Sequence, residues 1–322
     1  MRILVAGGTG FVGSALVQSL LDDGHDVTVL GRDAGRIRAR FAGRASAITW
    51  GTPDVSTLSR DMSGHEVVFN LTGEQAVGTR YTPGHKERIR DSRVKTTRAL
   101  VQAFDDARGT GSGEAVGSAL SRPRVLISAS AVGFYGARTP GESIDERAQV
   151  GSGFLAELCH EWEEAALRAE LRGVRVVIAR LGVVLGPGGG AFESIARPFR
   201  LGVGGPIGDG SQDMSFISLA DCVRALKFCM EPNHGLRGPV NLTAPAPTNG
   251  LALATAISRV LEKPNWLPVP KFALRALYGE GAEALVTGQR VLPTVLLNSG
   301  FQFRHPTIDL AVASAAVKPP VK

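Results

Sequence analysis

The sequence predicts an α/β protein, a doubly wound parallel sheet carrying a smaller C-terminal α/β lobe, and three features carry that prediction. An apolar run over residues 3–6 enters Gly7-x-x-Gly10-x-x-Gly13 and continues into ALVQSLL at 15–21, whose apolar spacing is helical. Strand-like and helix-like segments then alternate through the first two thirds of the chain, the pattern of right-handed βαβ crossovers. Beyond residue 185 the texture changes to glycine-rich loops separated by short helical stretches.

Taken in order, apolar β-type runs predict strands near 2–6, 26–30, 47–50, 66–71, 123–130 and 174–180, and helical periodicity falls near 11–23, 84–105 and 153–172. The Gly/Ser-rich stretch 106–121 reads as a flexible surface loop. Gly186–Gly190 and Gly202–Gly210 read as loops, followed by a helix at 219–230, a strand at 238–243, a helix at 249–261 and a proline-bracketed stretch at 264–270. These assignments divide the chain into a dinucleotide-binding unit over 1–185, with sheet contributions from about 210–243, an interleaved smaller lobe over 186–315, and a frayed tail over 316–322.

Bulk properties exclude several classes. At 322 residues the chain can bury a full α/β core, and 20% charged residues are ordinary for a soluble globular protein. The net charge of +6 is spread rather than clustered and only 6% of residues are aromatic, which argues against nucleic-acid binding and for an anionic cofactor, an anionic substrate or solubility alone. Cys159, Cys222 and Cys229 sit in apolar helical patterns and read as small buried hydrophobes in a reducing compartment. The histidines show no ligand spacing, so no metal is expected. No apolar run reaches membrane-spanning length and the N-terminus has no signal-peptide layout, so a cytoplasmic setting and no membrane partner are expected.

The glycine turn suits a pyrophosphate. A strand, a tight turn and a helix N-terminus bring bare backbone N–H groups and a positive helix end to one point, so Gly7, Thr9, Gly10, Phe11, Val12 and Gly13 are the expected cradle. The second strand ends Leu30-Gly31-Arg32, where an NAD site usually carries an acid for the ribose 2′-hydroxyl. Arg32, with Arg36 one helical turn on, suits a 2′-phosphate instead and favours NADP(H) over NAD(H). Two alternatives stay open: a one-residue shift brings Asp33 to the ribose, or Arg32 is a solvated loop cation.

Several segments go further. GGTGFVG at 7–13, NLTGE at 70–74, KERIRDSRVKTTRAL at 86–100, SASAVGFYG at 128–136, FLAELCHEWEEAA at 154–166, RLGVVLGPGGGAF at 180–192, FISLADCVRAL at 216–226, PVNLTAPAPTN at 239–249 and GQRVLP at 288–293 keep one order along the chain. Together they resemble the extended and atypical short-chain dehydrogenase/reductases, within the NAD(P)-dependent epimerase/dehydratase superfamily, and most of all its "epimerase family" branch. The resemblance implies a Rossmann fold with NADP(H) bound, and Leu71, Thr72 and Gly73 beneath the adenosine ribose and phosphates. It supplies no substrate. Dimers through a helical face are common in that superfamily, so a homodimer is one arrangement it allows.

The resemblance also exposes a gap. Dehydrogenases of this superfamily pair a serine or threonine with Tyr-x-x-x-Lys, because hydride transfer needs a proton moved at the reacting oxygen and a nearby lysine lowers the tyrosine pKa. The matching positions here are Phe154 and Leu158, or Leu155 and Cys159, and none can carry that proton. Ser128 and Ser130, at the end of the fifth strand, are expected to meet a substrate carbonyl, and Tyr135 is the expected substitute acid, with a structural ring as its alternative. Lys86, Arg93 and Arg80 are the nearest cations; on one helix, Lys86 and Arg93 would share a face. A solvated basic face is the bland reading of these cations. Glu74 is an expected substrate contact, with a solvated loop position as its alternative, and Arg180, ending the sixth strand, is expected to meet an anionic substrate or cofactor group. Gln212 and Ser215 are candidates for the outer pocket. Asp221 is a candidate helix N-cap, and Arg290 faces either the lobe or solvent. Two functions follow: an NADP(H)-dependent oxidoreductase or epimerase for a small polar substrate, nucleotide-linked or otherwise anionic, or an NADP(H)-binding sensor or interaction protein without the chemistry.

Overall fold

The computed structural model describes residues 1–50, 55–106 and 123–317. The expected loop 106–121 and the end of the expected tail lie largely outside these residues. The chain runs β1 (Arg2–Ala6), α1 (Phe11–Asp22), β2 (Asp26–Gly31), α2 (Ala34–Arg40), β3 (Ser46–Thr49), α3 (Val55–Met62), β4 (Val67–Asn70), α4 (Pro83–Asp91), α5 (Val94–Asp106) and β5 (Val125–Ala131). It continues with β6 (Ser143–Ile144), α6 (Phe154–Leu167), β7 (Arg175–Leu181), β8 (Val183–Leu185), α7 (Gly190–Arg200), β9 (Asp213–Met214), β10 (Phe216–Ser218), α8 (Leu219–Met230) and β11 (Gly238–Leu242). The last part holds β12 (Thr248–Asn249), α9 (Gly250–Leu261), α10 (Lys271–Tyr278), α11 (Glu283–Val286), β13 (Arg290–Val291), α12 (Thr294–Asn298) and α13 (Ile308–Ala316).

Seven strands form one parallel sheet in the order β11-β7-β5-β4-β1-β2-β3. The strand order reverses between β1 and β4, the place where ligands of doubly wound sheets lie. Both faces are covered, which is why the strands read as unbroken apolar runs rather than alternating ones. Ile3, Val5, Val27, Val29 and Phe69 point toward α1 and α8, while Leu4, Ala6, Leu30, Val68 and Leu126 point toward α3, α5 and α6. A separate apolar cluster of Phe192, Phe199, Phe216, Leu253, Ile257 and Val312 holds α7, α9 and α13 together.

The expected sheet strands are all present, and the departures lie in the helices. α2 and α3 were not anticipated, being short. The stretch expected as one helix over 84–105 breaks into α4 and α5 at Ser92 and Arg93, because the Ser92 hydroxyl turns back to the Ile89 carbonyl at 2.9 Å and accepts the Glu74 N–H at 2.9 Å. Lys86 and Arg93 therefore do not share a helix. The expected helix over 153–172 stops at Leu167 and tightens into a 3-10 turn. Burial pushes the thiols of all three cysteines up, Cys159 to about 11.

Ser218, not Asp221, caps α8, accepting the Asp221 N–H at 3.1 Å. The fully buried Asp221 carboxylate instead accepts the backbone N–H groups of Arg304 at 3.0 Å and His305 at 2.7 Å, and so fastens the approach to α13 onto α8. Removing it strands two donors. We expect Asp221→Ala to cost at least about 2 kcal/mol, read as a lowered midpoint in thermal unfolding; an unchanged midpoint would show that water satisfies both amides.

Candidate functional site

The glycine turn is built on contacts a side chain would forbid. Gly7 has φ +80°, and a Cβ there would lie 2.6 Å from the Leu71 carbonyl oxygen; a Cβ on Gly13 would lie 2.3 Å from the Gly7 carbonyl oxygen. The end of β4, the turn and α1 thus touch backbone to backbone. α1 starts at Phe11 with Gly10 as a cap that offers no side-chain bond and has no acid in its first turn, so the N–H groups at its start point outward unneutralised. Thr9, Phe11 and Val12 are half-buried around them. The Phe11 ring fills the space that side chains at Gly186, Gly189 and Gly190 would take, so the 186–190 loop closes directly over the turn.

At the end of β2, Arg32 and Arg36 are exposed. Asp33 is committed: it caps α2, accepting the Arg36 N–H at 3.0 Å. Leu71, Thr72 and Gly73 lead out of β4, with the Thr72 hydroxyl on Asn70 Oδ1 at 2.7 Å.

The structure places the expected catalytic groups in hydrogen bonds within the protein. Ser130, Arg180 and Asn241 occupy one row across β5, β7 and β11. Arg180 is buried and donates to both carboxylate oxygens of Glu163, at 2.9 and 2.7 Å. Burial alone would lower its pKa, but the Glu163 bonds outweigh burial and raise it. Its charge is thus matched inside the protein by Glu163. Ser130 Oγ donates to the same Glu163 at 2.6 Å. The Tyr135 hydroxyl accepts from Arg180 Nη1 at 2.9 Å and donates to Asn241 Oδ1 at 2.7 Å, and the residue is 0% exposed. Burial raises the Tyr135 pKa. Ser128, fully buried, accepts from Asn70 Nδ2 at 3.2 Å. Freeing the Tyr135 hydroxyl would break one neutral and one charge-assisted hydrogen bond, about 1 and about 1.5–3 kcal/mol respectively.

Other expected contacts are likewise engaged. Lys86 Nζ pairs with Glu280 at 2.6 Å and lies 4.9 Å above the Phe154 ring. Glu74 faces Arg88 and His85, each at 3.5 Å. Ser215 Oγ donates to the Gln289 carbonyl at 2.7 Å and accepts the Val291 N–H at 2.9 Å, a stitch rather than a pocket wall. The Arg290 Nε and the Gln212 Oε1 are buried without a partner.

Arg93 stands apart. Its guanidinium donates only through Nη1, to the Ile89 carbonyl at 3.2 Å and Ser92 Oγ at 3.5 Å, and lies 5.3 Å from the Trp162 ring and against Gly73. Among the described residues no carboxylate bonds it, and burial lowers its pKa. Beside it is a residue the sequence reading passed over. Among the described residues the buried Tyr81 hydroxyl has no hydrogen-bond partner, and burial pushes its phenol up to about 12 against the pull of Arg93. Its ring packs edge-on to Phe154 at 5.1 Å. Elimination was the available signal: with Tyr-x-x-x-Lys missing, the chain has only three tyrosines.

Among the described residues no helix is long and apolar enough to cross a membrane. The Arg180 cluster predicts a specific asymmetry. Arg180→Met leaves the buried Glu163 carboxylate unpaired and is expected to cost about 3–5 kcal/mol, whereas pairing it with Glu163→Leu recovers much of that loss in urea unfolding. An Arg180→Met variant as stable as the wild type would refute the buried pair.

Comparison with known proteins agrees with this geometry. The profile of the NAD dependent epimerase/dehydratase family matches residues 3–242, and a domain of unknown function, DUF1731, matches residues 269–315. The chain is 40% identical over 319 residues to the epimerase family protein Mb2239 of Mycobacterium bovis, covering 98% of each. The solved structure of human epimerase family protein SDR39U1 with NADPH superposes with a TM-score of 0.83 at 30% identity, over 98% of this chain and 99% of that one. The UDP-glucuronic acid 4-epimerase of Bacillus cereus shares the fold, with a TM-score of 0.75 at 17% identity over 98% of both chains. The chain belongs to the NAD dependent epimerase/dehydratase family.

Proposed function

We propose that this protein is an NADP(H)-dependent oxidoreductase or epimerase of the atypical short-chain dehydrogenase/reductase type, acting on a small polar substrate. The observation that carries the reading is the end of β2: Arg32 and Arg36 are exposed beside the glycine turn while Asp33, the acid that could serve an NAD ribose, is bound to the start of α2. The backbone cradle fits a pyrophosphate: Gly7 and Gly13 let the strand, the turn and α1 close on bare backbone, and Gly10 leaves the start of α1 without a side-chain cap. In this reading the N–H groups at the start of α1 hold the pyrophosphate, Arg32 and Arg36 hold the 2′-phosphate, and Leu71–Gly73 run beneath the ribose. The NADPH in the human relative's structure supports the same choice. When bound, NADPH supplies hydride. The three free thiols suit a cytoplasmic setting.

One observation favours the second reading, a dinucleotide-binding protein without turnover: Ser130 and Tyr135 are already bonded inside the protein, and Phe154 and Leu158 replace the usual Tyr and Lys.

A titration of purified protein with NADPH and NADH, followed by nicotinamide fluorescence, tests the cofactor assignment. Arg32→Ala is expected to weaken NADPH about 10- to 100-fold, the worth of one charge-assisted hydrogen bond, and to leave NADH unchanged. Equal loss for both nucleotides, or binding of neither, would overturn it.

A further inference from the structure

We propose that Tyr81 is the proton donor to a substrate carbonyl oxygen and that Arg93 stabilises the phenolate left behind, so that two residues on the β4 side of the site replace the missing Tyr-x-x-x-Lys. The proposal rests on the NADP(H)-dependent reading above.

Four observations carry it. First, both groups are unspent. The Tyr81 hydroxyl is buried without a partner, and the Arg93 guanidinium has no carboxylate bonded to it among the described residues. A buried hydroxyl without an acceptor is uncommon in a native protein and marks a place where a ligand atom belongs. Second, they share one wall: the Arg93 guanidinium lies 5.3 Å from the Trp162 ring, and Trp162 belongs to the cluster against which Tyr81 packs. Third, their position is right. Tyr81 packs in one cluster with Leu71 from the end of β4, with Trp162, and with Phe154 and Leu155 from the start of α6. Leu155 in turn lies against Gly133, just beyond the end of β5. Tyr81 thus rests on the residues that stand where the family's tyrosine should be. Fourth, a cleft of about 660 Å³ opens at Phe154, lined also by Lys86, Arg90, Glu157 and Glu280, and Phe154 packs edge-on to the Tyr81 ring at 5.1 Å.

The step balances. The Tyr81 O–H bond breaks and an O–H bond forms on the substrate oxygen, while the carbonyl carbon receives the hydride that NADPH supplies. The phenolate then regains a proton from water. A protonated phenol suits the direction of reduction, because burial holds it neutral at physiological pH. The charged and titratable groups around it are Arg93, Glu280, Lys86, His85 and Cys159. Lys86 and Glu280 largely cancel at 2.6 Å, which leaves Arg93 as the uncompensated charge.

Two measurements test this. In the first, a difluorotyrosine whose phenol titrates near neutral pH replaces Tyr81 and is followed by fluorine NMR, with and without Arg93→Met. The midpoint is expected to rise by about one pH unit or more when the cation is removed, and an unmoved midpoint overturns the pair. This titration needs no cofactor, so it remains readable even if NADPH fails to bind, a result that would sink the functional reading instead. In the second, NADPH-dependent reduction of 9,10-phenanthrenequinone is compared in the wild type, Tyr81→Phe and Tyr135→Phe. Tyr81→Phe is expected to lose roughly 100-fold or more in turnover, with NADPH affinity and thermal midpoint undiminished because the hydroxyl makes no internal bond. Retained turnover in Tyr81→Phe, or a midpoint lowered by several degrees, overturns the assignment.

Discussion

A guanidinium buried at the carboxyl edge of a parallel sheet constrains everything around it, because every N–H it presents must be met inside the protein. Arg180 does this by taking both oxygens of Glu163 from α6, the hydroxyl of Tyr135 and the backbone carbonyl of Glu146. Its guanidinium carbon also sits 3.6 Å from the Phe134 ring centroid. The 3-10 turn holding Phe134 and Tyr135, the start of the 143–148 segment, α6 and three sheet strands are therefore fixed relative to one charge. Asn241 extends the set, with its N–H on Glu146 Oε1 at 3.0 Å and its side-chain amide on the Leu292 carbonyl at 3.0 Å. Replacing one partner breaks the whole arrangement, since an unpaired buried charge costs more than the pair gains.

That constraint commits one side of the sheet edge to internal bonds. Serine, tyrosine and arginine at the ends of β5 and β7 look like a reaction centre in one dimension, yet in three dimensions they satisfy one another and bury Glu163. The other side of the same edge, between β4 and α6, is built differently. Phe154, Leu155 and Trp162 pack there, and the Tyr81 hydroxyl and the Arg93 guanidinium beside them are left under-used. A protein keeps such costs where function requires them. The glycine turn and this cluster adjoin through Leu71, whose carbonyl bounds Gly7 and whose side chain joins the Tyr81 cluster.

Much of this was legible in the sequence because its signals are local. The unbroken apolar strands, the glycine spacing and the position of Arg32 each depend on neighbours within about one supersecondary unit, and the sheet and the turn follow from them. The break between α4 and α5 was not legible, since it depends on Ser92 meeting Glu74, 18 residues earlier. Nor was the commitment of Tyr135, whose partners Arg180 and Asn241 lie 45 and 106 residues away. A buried ion pair such as Arg180 with Glu163 leaves no trace in spacing, because each residue type is equally at home on a surface. Tyr81 was missed for the same reason: its importance lies in a bond it does not make.

The most direct test of the central claim is a crystal structure of the NADPH complex, in which the nicotinamide ring reports which side of the edge is reactive. The account predicts that the ring faces the pocket of Tyr81, Arg93 and Phe154, while the Tyr135 hydroxyl stays on Arg180 and Asn241. A nicotinamide ring stacked beside Tyr135, with that hydroxyl released from Arg180 and turned toward the cofactor, would contradict it.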